Sequence, residues 1–107
     1  MNVTVFGGST CSDAVGAMAE ELGRLLAQAG HTVVTGGYGG VMSWVSKGAR
    51  EAGGDVIGIV LKGIGEPNMF VSEPMLAVNF WGRLGALMEM GDAYIALPGG
   101  SGTSTEL

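Results

Sequence analysis

The chain is poor in the residues on which much catalytic and structural chemistry depends. Of its 107 residues only one is cysteine, Cys11, and one histidine, His31. A single cysteine excludes an intrachain disulfide and a cysteine-built metal site, and it reads as a small filler at a helix start. A single histidine, between Gly30 and a strand at the end remote from the glycine loops, disfavours a Ser–His–acid triad and reads as structural. The only lysines, Lys47 and Lys62, lie outside the glycine-rich loops, which argues against a pyridoxal-phosphate Schiff base. Charged residues make up 14% of the chain, well below the usual ~25%. That scarcity implies surface covered by another copy or by further chain. The formal net charge of −5 argues against nucleic-acid binding, which calls for a basic face. No apolar run is long enough to span a bilayer, since Val56 to Leu61 falls far short of ~20 residues. The start, MNVTVFGG, lacks the basic and apolar regions of a secretion signal. The expectation is a cytoplasmic protein with no membrane partner.

Glycine, by contrast, is abundant: 21 residues, clustered after apolar runs. Val3–Phe6 reads as a first strand closed by Gly7-Gly8-Ser9-Thr10. Ser12 or Asp13 can cap a helix with apolar positions Val15, Met18, Leu22, Leu25, Leu26 and Ala29, a 3.6-residue spacing, and Gly30 occupies a C′ position. A second strand, His31–Thr35, stops at Gly36-Gly37-Tyr38-Gly39-Gly40. A second helix carries Val41, Met42, Val45, Ala49 and Ala52, closed by Gly53-Gly54. A third strand spans Asp55–Leu61 and is continuously apolar, as buried parallel strands are. Residues 62–74, with Pro67 and Pro74, read as a surface loop or flap. Met75–Met90 reads as a third helix, apolar on more than one face, and Ala93–Leu97 as a fourth strand. This alternation predicts an open parallel sheet with helices on both faces, in one domain spanning residues 1–107. All three glycine loops follow strands. They should gather at the carboxyl edge of the sheet, where such folds bind ligands.

The stretch AYIALPGGSGTSTEL, residues 93–107, carries the most chemistry. An apolar strand, a glycine loop and a helix start can present convergent N–H groups to an anion, with Thr103, Ser104 and Thr105 as hydroxyl donors or caps. Glu106 either completes a capping box with Thr103 or serves a ligand directly. Dinucleotide fingerprints fail at Met42 and Thr105, and no Gly-Lys-Ser/Thr of a P-loop occurs. Arg83, the only cation between Lys62 and the C-terminus, sits on an apolar helix and needs an anionic partner or solvent. It either pairs with Glu89 or Asp92 at the surface or reaches the ligand edge.

Pro98-Gly99-Gly100-Ser101-Gly102-Thr103-Ser104-Thr105-Glu106 matches PGGxGTxxE, and with it the chain resembles the LOG (LONELY GUY) family, also mislabelled as lysine decarboxylases. Val5-Phe6-Gly7-Gly8-Ser9-Thr10 resembles that family's first-strand loop. Gly36 to Met42 resembles its GGGxxGLM segment, and Met90 to Ile95 fits the stretch preceding the signature. The resemblance implies a Rossmann-like homodimer or higher oligomer, without metal or redox cofactor. Its implied activity is hydrolysis of the N-glycosidic bond of cytokinin-type nucleoside 5′-monophosphates to free base and ribose 5-phosphate. Arg83 and Glu106 would be the catalytic pair. Gly8, Ser9, Thr10, Gly37, Gly39, Gly40, Gly99, Gly100, Ser101, Gly102 and Thr103 would hold the phosphorylated nucleoside. Leu84 stands where the family has a lysine after the arginine, and Gly82 where it has an acid. The same fold also serves non-hydrolytic carriers of nucleotides or of the molybdenum cofactor. The family fold continues past Leu107, so the expectation is a C-terminally truncated piece.

Overall fold

A computed structural model describes residues 1–97. The strands are β1 (Asn2–Phe6), β2 (Thr32–Thr35), β3 (Val56–Leu61), β4 (Glu73–Ala77) and β5 (Ala93–Ala96); the helices are α1 (Asp13–Gln28), α2 (Val41–Glu51) and α3 (Phe80–Met90). The five strands form one sheet in the order β4-β3-β2-β1-β5, and every neighbouring pair is parallel.

Alternation along the strands sorts the core into two layers, as the period-2 geometry of a strand requires. Val3, Val5, Val33 and Val56 face α1 and α2, where they meet Ala19, Val41, Val45 and Ala49. Val34, Ile57 and Ile59 face the other way, toward Leu87 of α3 and Ala77. Thr4 lies on that second face, fully buried, and its hydroxyl donates to the Leu87 carbonyl at 2.9 Å. Helices therefore cover both faces, as the alternating elements predict. Cys11 packs against the α1/α2 layer, and His31 Nδ1 lies 3.1 Å from the N-terminal amine, away from the carboxyl edge.

Helix ends follow the sequence signals. The Ser12 hydroxyl accepts from Val15 N at 3.2 Å, capping α1, and Gly30 takes φ +85° just past the helix. Asn79 caps α3, its Oδ1 accepting from Gly82 N at 2.8 Å.

The expected third helix, Met75–Met90, is corrected at its start. Residues 73–77 form an additional strand, β4, and the helix begins at Phe80. Pro74 argues against a strand only when both edges of that strand are paired. Here β4 is the sheet's outer strand, and Pro74 is the register partner of Gly58. The apolar residues Met75 and Leu76, which read as a helical continuation, belong to this edge and stay largely exposed. The region 62–72 is a connection between parallel neighbours β3 and β4, without a helix of its own.

Candidate functional site

Chain order reverses between β1 and β5: β1 is flanked by β2 on one side and β5 on the other. In open α/β sheets that reversal opens a crevice at the carboxyl ends of the strands. The Gly7–Thr10 loop leaves β1 at that crevice, and β5 delivers the chain to it, with Leu97 N donating to Phe6 O at 2.9 Å. The signature residues Gly99, Gly100, Ser101, Gly102, Thr103 and Glu106 lie outside the described residues.

The first two glycine loops meet. Val41 N donates to Gly8 O at 3.1 Å, which ties the start of α2 to the loop after β1. Gly40 has φ +64°, and a Cβ there would collide with Gly8 O and the Ser9 carbonyl carbon. Only glycine reconciles that backbone angle with so close an approach. Gly39 lies across from Ser9, its Cβ position 3.6 Å from Ser9 O. Ser9, Thr10 and Gly39 are exposed; Gly8 and Gly40 are half-buried; Gly37 is buried at the base of the loop. Of the sequence-predicted site residues, Gly8, Ser9, Gly37, Gly39 and Gly40 are thus brought together, with Thr10 continuing the rim.

Arg83 reaches this edge from α3. Its Nε donates to Ile59 O at 2.8 Å and its Nη2 to Gly36 O at 3.0 Å. Cζ sits 5.4 Å from the centroid of the Tyr38 ring, a cation–π distance. A Cβ on Gly36 would collide with the guanidinium, so the close approach of Arg83 requires glycine there. Among the described residues Arg83 makes no ion pair with Glu89 or Asp92; its partners are the two backbone carbonyls. Asp92 instead accepts from Asn2 N at 2.9 Å. Arginine carries five N–H donors and stays charged. Two of its nitrogens serve backbone oxygens, and Nη1 has no hydrogen-bond partner among the described residues.

Two residues of this edge were not singled out in the sequence, Tyr38 as an anchor and Asn68. Tyr38 Oη accepts from Leu61 N at 2.8 Å and lies 3.4 Å from Leu61 O, pinning the loop to the end of β3. Asn68, on the β3–β4 connection, donates from N to Gly37 O at 2.6 Å and from Nδ2 to Tyr38 O at 2.8 Å. The signal available was only positional: a polar residue after Pro67, on a segment that leaves a strand at the carboxyl edge. Among the described residues no group of three or more histidine, cysteine, aspartate or glutamate side chains assembles as a metal site would require, and no helix is long and apolar enough to cross a membrane.

Comparison with known proteins gives this arrangement a context. A family model described as the SLOG cluster4 family matches residues 1–107. An uncharacterized protein of Archaeoglobus fulgidus is 32% identical over 107 residues, covering all of this chain and 71% of its relative. The cytokinin riboside 5′-monophosphate phosphoribohydrolase of Rhodococcoides fascians is 36% identical, over 98% of this chain and 57% of its own. Among solved structures, the molybdenum cofactor carrier protein of Chlamydomonas reinhardtii superposes with a TM-score of 0.83 at 33% identity. The molybdenum cofactor binding protein of Rippkaea orientalis gives 0.86 at 30%. In both cases the match covers 98% of this chain and 66% of the other. The chain therefore spans about two thirds of these solved structures and a little over half of the Rhodococcoides enzyme.

Proposed function

The chain belongs to the SLOG cluster4 family, and from that membership we propose that it binds a phosphorylated nucleoside at the carboxyl edge of its sheet and hydrolyses the N-glycosidic bond, releasing free base and ribose 5-phosphate. The observation that carries this reading is the approach of Arg83 to the 36–40 loop, which in turn meets the 7–10 loop at the carboxyl edge of the sheet. Relatives named phosphoribohydrolases add support.

The chemistry is coherent with the residues. Glycosidic cleavage develops positive charge on the sugar, which a carboxylate stabilises while it orients water. In this proposal Glu106 is that carboxylate. Arg83, fixed by two backbone carbonyls, supplies positive charge opposite the phosphorylated ligand. Gly8, Ser9, Thr10, Gly39 and Gly40, with Gly99, Gly100, Ser101, Gly102 and Thr103, hold the nucleotide through peptide N–H groups and hydroxyls, and Gly37, whose own N–H is taken by Thr35 Oγ1, shapes the loop beneath them. No metal or redox cofactor enters the scheme. The protein acts as a homodimer or larger oligomer, a reading supported by the apolar residues α3 leaves exposed, and it acts in the cytoplasm.

Incubation with AMP and with an N6-prenylated AMP, followed by chromatography for free base, tests the proposal. Release that disappears in Glu106→Gln, with nucleotide affinity retained, is the expected result. Full turnover in that variant removes the carboxylate from the mechanism. A Gly100→Val change is expected to abolish tight binding of phosphorylated ligand; unchanged affinity rejects the loop assignment. A second reading, a carrier that binds a nucleotide or the molybdenum cofactor without hydrolysis, draws on the solved structures named above and on Leu84 in place of a lysine. Nucleotide binding without base release favours it.

A further inference from the structure

The peptide planes of the 36–40 loop are held from one side. Asn68 N and Nδ2 both donate to Gly37 O, at 2.6 and 3.2 Å, and Nδ2 also donates to Tyr38 O at 2.8 Å. Asn68 is itself held: its Oδ1 accepts from Phe70 N at 2.9 Å and its carbonyl from Val71 N at 3.2 Å. No peptide bond among the described residues is cis. In a trans peptide the C=O and N–H of one plane point in opposite directions. The Gly37 carbonyl shares its plane with the Tyr38 N–H, and the Tyr38 carbonyl shares its plane with the Gly39 N–H. Fastening both carbonyls to Asn68 therefore turns both N–H groups the other way. Neither N–H has a hydrogen-bond partner among the described residues, whereas the preceding Gly37 N–H is taken by Thr35 Oγ1 at 2.8 Å. Gly39 is exposed, beside Ser9.

We infer that Asn68 is a positioning residue of the nucleotide site: by clasping the Gly37 and Tyr38 carbonyls it aims the Tyr38 and Gly39 N–H groups at the phosphate of the ligand. The inference rests on the reading of this edge as a nucleotide site. Asn68 does not touch the ligand and takes no part in bond cleavage. Without Nδ2 the plane shared by the Tyr38 carbonyl and the Gly39 N–H loses its clasp and its preorganisation, while the Gly37–Tyr38 plane keeps the bond from the Asn68 peptide N–H. The β3–β4 connection, a surface loop or flap in the sequence reading, becomes the outer brace of the second glycine loop.

Asn68→Leu removes the side-chain donors at similar size and adds no charge. Calorimetric titration with AMP and with adenosine, which lacks the phosphate, separates positioning from general disorder. The expected result is AMP affinity reduced about tenfold, adenosine affinity unchanged, and, if turnover is present, KM raised with kcat within about twofold. Unchanged AMP affinity overturns the inference. A parallel loss for both ligands also overturns it, because that is what a merely structural role produces. Amide NMR of the wild-type chain decides the matter even if the variant fails to fold. The Tyr38 and Gly39 amide signals should move on addition of AMP and stay in place with adenosine; signals unmoved by AMP overturn the inference. A wild-type chain that binds neither ligand overturns the nucleotide reading itself, and the positioning role with it.

Discussion

At the scale of single residues, Arg83 carries the largest consequences. Its guanidinium satisfies carbonyls of Gly36 and Ile59, both buried residues. Arg83→Met keeps much of the stem and removes the donors. Leaving buried acceptors unpaired costs about 1–3 kcal/mol, so a stability loss of that size is expected in urea melts, alongside loss of nucleotide binding. A variant that loses binding at wild-type stability shows that Arg83 does not brace the loop. Sequence made this arginine conspicuous as a lone cation on an apolar helix but left its partner open, because the carbonyls it binds belong to residues 24 and 47 positions away in the chain. Lys47 shows a different balance. Its hydrogen bond to Glu20 raises its pKa above the ordinary 10.5; burial opposes this, and the Glu20 and Glu51 charges add to it. A lysine with a raised folded pKa contributes stability that is fully present below its unfolded pKa and lost as pH rises through the folded one. Lys47→Met should therefore lower the thermal midpoint at pH 7, and the deficit should shrink above pH 10.5. A deficit independent of pH assigns the loss to packing of the lysine stem.

At the scale of elements, α1 and α2 lie in backbone contact. A Cβ on Gly23 would collide with Val45 O, and one on Gly48 with Glu20 O. These contacts are to backbone, which cannot swing aside as a flexible side chain can. Gly48→Ala should force the helices apart and cost about 1–3 kcal/mol, despite the better intrinsic helix propensity of alanine. A neutral or stabilising result shows that the pair can separate freely. The sequence reading recovered α1 and α2 because one apolar stripe and clear end signals marked each. It missed β4 for a physical reason: an outer strand needs neither an alternating pattern nor a free N–H at every position. Its Pro74 and exposed Leu76 resembled a loop running into a helix. The convergence of the 7–10 and 36–40 loops was legible, since both follow parallel strands. The clasp by Asn68 was not, because nothing local distinguishes an asparagine that braces a distant loop from one that turns its own.

At the scale of the molecule, apolar surface is distributed unevenly. α3 and its flanks expose Val78 at 83%, Trp81 at 76% and Leu76 at 72%, next to the low charge content that the composition announced. Under the proposed homodimer, light scattering on a sizing column should give twice the chain mass, and Trp81→Lys should return it to the monomer value. A monomeric wild type sinks the dimer reading while leaving the nucleotide site untouched. The place of β1 between β2 and β5 has a consequence in time. β1 is made before its neighbour β2 and well before β5, so its second edge waits for the later strand, through Val3 with Ala93 and Phe6 with Ala96. Closing so long a loop is slow compared with the local pairing that precedes it. Asn2 then hooks the Met90 carbonyl and Asp92, fastening β1 to the segment that leads into β5. The crevice between β1 and β5 comes into existence only at that late step, after the other four described strands have been made.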